Sequence, residues 1–61
     1  MTFTAEQKLK AVERELTYRS RVYPRRIEAG KMTQKLADEQ VALFEAIRDD
    51  YAALAGKERL L

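Results

Sequence analysis

A chain of 61 residues supports one small domain, here taken as residues 1–61, because a chain of that length buries only about 60% of the surface it exposes when unfolded. It has no cysteine and no histidine, which excludes disulfides, thiolate metal sites and the commonest zinc ligand and general base. Twelve basic residues stand against ten acidic ones, a net charge of +2 that is too mild to imply a nucleic-acid or membrane partner on its own.

Apolar residues make up 46% of the chain, but nine of them are alanine and five are aromatic: Phe3, Phe44, Tyr18, Tyr23 and Tyr51. The core is therefore thin, and self-association is expected from size alone. No apolar run approaches the roughly 20 residues that cross a bilayer, and no basic stretch followed by an apolar one opens the chain. The expectation is a soluble, cytoplasmic protein. Charged residues at 36% with two glycines and one proline favour ordered helix.

The first helix starts at Thr4-Ala5-Glu6-Gln7, a capping box in which the threonine hydroxyl and the Gln7 side chain satisfy each other's backbone amides. Ala5, Leu9, Val12, Leu16 and Tyr23 then fall within about 60° of one another, forming a narrow apolar stripe flanked by Lys8 and Arg19. Pro24 has no amide hydrogen and disfavours helical geometry at Tyr23, so the spacing predicts a break or kink there. A short helix or turn over 24–30 follows, closed by Gly30 in a left-handed conformation.

Thr33 is the next N-cap, with Met32 folding over the new first turn. In the second helix Leu36, Gln40, Leu43, Phe44, Ile47, Tyr51 and Leu54 span about 100°, the width of a helix lying on a core. Gly56 is expected to end it, leaving residues 57–61 to fray. The fold class is thus all-α, an antiparallel helical hairpin with helices at about 5–22 and 34–55. Tyr18, Val22 and Val41 lie off both stripes and are the candidate partner-binding residues.

Residues 17–31 gather Arg19, Arg21, Arg25, Arg26 and Lys31 against Glu28 alone, interleaved with Tyr18 and Tyr23. Arginine forks bind phosphates and tyrosine rings stack on unpaired bases, so these five cations are the candidate phosphate-binding set. The plainer reading is that Tyr23 closes the hairpin core, Arg19 lies along the stripe and the others are solvated. Asp38, Glu45 and Asp49 share one face of the second helix, as Lys10, Arg14 and Arg21 share one of the first. Either these faces meet between copies, or they carry local pairs such as Glu45 with Arg48 and Glu6 with Lys10.

Glu45 and Asp49, at i and i+4, lack the histidine of a helical metal site, and Ser20 or a threonine would lack a histidine base. The expectation is no enzyme activity, no cofactor, no metal and no small-molecule substrate. The acidic polar face of the second helix also argues against a membrane-surface role.

The run Arg19-x-x-Val22-Tyr23-Pro24, then Gly30-Lys31-Met32-Thr33, Ala37 and Ile47-x-x-Asp50-Tyr51, resembles small helical proteins encoded in bacteriophage and prophage regions. The resemblance covers roughly residues 14–51. It implies a short helical protein with no established activity to carry over, and a setting that suits a small binder of a host or phage protein, or a nucleic-acid accessory. The function expected is a non-enzymatic protein-interaction module, self-associating or docking on another protein, with nucleic-acid binding at the helical bend as the alternative.

Overall fold

The structure, a computed structural model, describes residues 2–60. Two helices, α1 (Ala5–Glu28) and α2 (Gln34–Leu60), fold back on each other as an antiparallel hairpin 48 Å long and under 20 Å across, with principal extents of 48 × 19 × 17 Å. Among the described residues there is no strand.

The capping box forms as the sequence predicts. The Gln7 amide donates to Thr4 Oγ1 at 3.1 Å and the Thr4 amide donates to Gln7 Oε1 at 2.9 Å, so two amides at the start of α1 are satisfied reciprocally. At the far end Gly30 takes φ +73°, its amide donates to the Ile27 carbonyl at 3.0 Å, and the Lys31 amide donates to the Arg26 carbonyl at 2.9 Å. That pair of bonds is a Schellman closure, which needs a left-handed residue at Gly30. Thr33 then caps α2, accepting from the Leu36 amide at 3.1 Å.

The structure differs from the sequence reading at two boundaries. α1 does not break at Pro24 but continues through it to Glu28, so there is no separate helix over 24–30. Proline in a helix interior costs about 3 kcal/mol, and it leaves the Ser20 carbonyl without its usual donor. What offsets that cost is packing on both sides of it. Tyr23 is buried, Ile27 one turn further on is half-buried, and both line the opening against Ala37 and Val41 of α2. A break at Pro24 would take Ile27 off that surface.

α2 also runs through Gly56 to Leu60. Residues 57–60 close the hairpin rather than fray: the Glu58 carboxylate accepts from the Ala5 amide at 3.2 Å, and Arg59 pairs with Glu6 at 3.1 Å. Glu58 thus meets the first free amide of α1 and the positive end of its dipole at once. The last residue of the expected tail, Leu61, lies outside the described residues.

The contact between the helices is a seam with alternating steps of four and three. On α1 it runs Ala5, Leu9, Val12, Leu16, Arg19 and Tyr23; on α2 it runs Ala37, Val41, Phe44, Arg48, Tyr51 and Ala55. All twelve are buried or half-buried. A mean spacing of 3.5 residues is the antiparallel coiled-coil register, which keeps one seam on another along the length of both helices. Among the described residues four are buried, Ala5, Tyr23, Ala37 and Ala55, none of them completely, and three are alanines at the ends of the seam.

Candidate interaction surface

The wide stripe predicted for α2 is divided by this seam. Phe44 and Tyr51 turn onto α1, whereas Leu36, Leu43 and Leu54 remain 45%, 53% and 48% exposed. The reason is geometric. A stripe of about 60° on α1 cannot cover one of about 100° on α2, so one edge of the wider stripe is left outside the hairpin. Leu36, Leu43, Ile47 and Leu54 recur at seven, four and seven residues and form a single row on that edge.

Of the three candidate partner-binding residues, Tyr18 and Val22 stand on the same side of the hairpin as this row. They line a groove with Met32, Leu36 and Gln40, crossed by Arg26. Tyr18 is 61% exposed and Val22 half-buried. Val41 lies elsewhere: it is half-buried on the seam and faces the opposite opening, beside Tyr23, Pro24 and Ile27. Two of the three candidates thus stand beside the row of leucines, which is the larger apolar feature.

The five candidate phosphate-binding cations do not form one cluster. Arg19 is drawn inward, its guanidinium 4.3 Å from the Phe44 ring centre, with Nε donating to Glu15 at 2.8 Å and Nη1 donating to the Tyr23 hydroxyl at 2.7 Å. The bond to Tyr23, aided by Glu15 and opposed by burial, holds the Arg19 guanidinium above its ordinary pKa, so it is charged at neutral pH. Arg26 lines the leucine-side groove, and Lys31 is exposed in the loop.

Arg21 and Arg25 share the outer face of α1 with Lys10 and Arg14. All four are exposed, and none enters an ion pair among the described residues. No acidic residue falls among them on that face between Gln7 and Arg25.

The acidic face of α2 is engaged locally. Glu45 lies 3.8 Å and Asp49 3.2 Å from Arg48, as the expected Glu45–Arg48 pair requires, and Asp38 accepts from Gln34 at 2.8 Å. Glu6 takes Arg59 across the hairpin instead of Lys10. These exposed pairs contribute little individually, about 0–1 kcal/mol. Among the described residues no three His, Cys, Asp or Glu side chains gather as a metal site would need, and no helix is long and apolar enough to cross a membrane.

Two cations placed over aromatic rings escaped the sequence reading. Lys8 reaches to 5.6 Å from the Tyr51 ring centre, and Arg19 covers Phe44. Such contacts contribute roughly 0.5–1 kcal/mol at exposed sites. For Arg19 the signal was present in the register, since it occupies a seam position once the pattern is read at 3.5 residues per turn instead of 3.6. Comparison with known proteins finds no family model, no curated protein and no solved structure that matches the chain.

Proposed function

We propose that the protein is a non-enzymatic helical interaction module, and that the Leu36–Leu43–Ile47–Leu54 edge of α2, with Tyr18, Val22 and Met32 beside it, is the surface that receives a helix of another protein chain. One observation carries the reading: three large leucines stand about half-exposed in a single row, while just one large side chain, Tyr23, is among the four buried residues described. A monomer that leaves a row of leucines this exposed still has favourable apolar burial to make. The setting that fits is a phage- or prophage-encoded protein acting on a host or phage protein in the bacterial cytoplasm. The test is capture by the full chain and by Leu43→Glu from the same lysate. Bound protein retained by the first and lost with the second supports the reading, provided both give equal helical circular dichroism; equal capture by both refutes it.

The face of α1 from Lys10 to Arg25, which carries no acidic residue, favours a second reading, a nucleic-acid accessory role. Lys10, Arg14, Arg21 and Arg25 recur along about 22 Å of helix with no carboxylate between them, an arrangement that suits a run of backbone phosphates. Binding to single-stranded DNA that weakens steeply with salt, with the slope reduced by about 0.7 for each of Arg21→Ala and Arg25→Ala, would support it. Absence of binding at low salt would end it.

A further inference from the structure

We propose that the occupant of the leucine row is a second copy of the same chain, the two α2 helices packing antiparallel about a two-fold axis beside residue 45. This rests on the reading of the row as a docking surface and names what docks there. The row in full is Leu36, Gln40, Leu43, Ile47, Asp50 and Leu54, with steps of four, three, four, three and four. That series reads the same in both directions. Reversing the helix about residue 45 lays Leu36 on Leu54, Leu43 on Ile47 and Gln40 on Asp50, which is the self-complementarity that a two-fold interface demands.

The polar members decide the orientation. In the antiparallel arrangement the Gln40 amide of one copy faces the Asp50 carboxylate of the other and donates to it, so each polar group in the row meets a partner. A parallel arrangement would set Asp50 against Asp50, a like-charge contact inside an apolar row. Ala42, Ala46 and Ala53 flank the row and are exposed. Small side chains there let the two backbones approach closely, at the 8–10 Å typical of packed helices.

The surface area agrees. A compact monomer of this mass exposes about 4,100 Å², whereas this 7.1 kDa chain exposes 5021 Å². The excess, about 900 Å² by that scaling, follows from the 48 × 19 × 17 Å rod shape, whose long side leaves room for the roughly 800 Å² that each partner contributes to a stable interface. The resulting assembly is a four-helix array with the α2 pair at its centre and the basic outer faces of α1 on its flanks.

Sedimentation equilibrium of the full chain tests this at rising concentration and two ionic strengths. The expected mass is that of two chains, retained at high salt because the row is apolar. Leu43→Glu strikes two symmetry-related contacts and should weaken association on the order of a hundredfold while leaving the helical signal intact. Gln40→Leu with Asp50→Leu should instead tighten it by at least about tenfold, a gain that misfolding into a monomer cannot imitate. Single-chain mass at several hundred micromolar overturns self-pairing, as does a dimer indifferent to both variants. Fluorescence of the dye 1-anilinonaphthalene-8-sulfonate then separates the two readings. Dye bound by the wild-type monomer and released by Leu43→Glu keeps the row as a docking surface for a different protein, and no dye binding removes that reading as well.

Discussion

Tyr23 is the largest side chain the hairpin buries, at 7% exposed, and it is tied to Arg19 through its hydroxyl at 2.7 Å. Replacing a buried aromatic side chain with alanine costs about 3–5 kcal/mol. The lower end applies here, because Tyr23 borders openings on both sides of the seam into which neighbours and water can relax. A hairpin of this size has roughly 3–5 kcal/mol of stability to lose, so Tyr23→Ala should leave the chain largely unfolded at room temperature. Tyr23→Phe keeps the ring and removes the acceptor. A hydrogen bond to a charged group contributes about 1.5–3 kcal/mol, but the Arg19 side chain is 31% exposed and water replaces part of the loss. About 1 kcal/mol remains, a fall in melting temperature of roughly 4–8 °C. Thermal melts followed by circular dichroism at fixed protein concentration distinguish the two, since any dimer makes the midpoint depend on concentration. A Tyr23→Ala protein that melts with the wild type would refute the claim that this residue anchors the seam.

Other substitutions probe the same account. Pro24→Ala should raise stability by up to about 3 kcal/mol if α1 is continuous, and leave it nearly unchanged if the chain breaks there; urea midpoints decide. The two glycines should respond with opposite signs. Gly56→Ala, mid-helix with nothing within 4 Å of the added carbon, gains about 1 kcal/mol, whereas Gly30→Ala, at φ +73°, loses about as much. The Arg19 pKa lies above its ordinary value, so the contribution of its charge is fully present below the ordinary arginine pKa and is lost only as pH rises through the still higher folded value. The melting difference between wild type and Tyr23→Phe should accordingly stay constant from mildly acid to mildly alkaline buffer, and a difference that vanishes within that range would contradict the assignment.

Local signals in the sequence carried the fold well where local chemistry decides it. Thr4 with Gln7, Thr33 and Gly30 each make the cap or turn that their residue types prescribe, and the two apolar stripes require an antiparallel hairpin. Pro24 and Gly56 misled because each is a local preference overruled by a contact distant in sequence, Tyr23 and Ile27 against α2 in one case and Glu58 on the Ala5 amide in the other. The exposed apolar row was only partly legible. Tyr18 and Val22 were read as apolar residues off both stripes and stand on the side where the leucine row lies, but the leucines of α2 read as core because a periodic pattern records which residues are apolar together and not how much of that stripe a narrower partner can cover. The inward turn of Arg19 was hidden for a related reason: a charge count over 17–31 ignores which face each arginine occupies.

The account depends most on α2 of one copy meeting α2 of another in reverse, and pulsed electron paramagnetic resonance measures that directly. Nitroxides placed one at a time at Asp49→Cys and Gly56→Cys occupy exposed positions four and eleven residues from the proposed axis. Antiparallel pairing sets the two labels apart along the helix by about 12 Å at the first site and about 33 Å at the second, with the same lateral separation added to both. A short distance at residue 49 and a much longer one at residue 56 is the predicted result. Equal distances at the two sites would mean parallel helices, and no dipolar coupling at either would mean no pair, and either result would contradict the account.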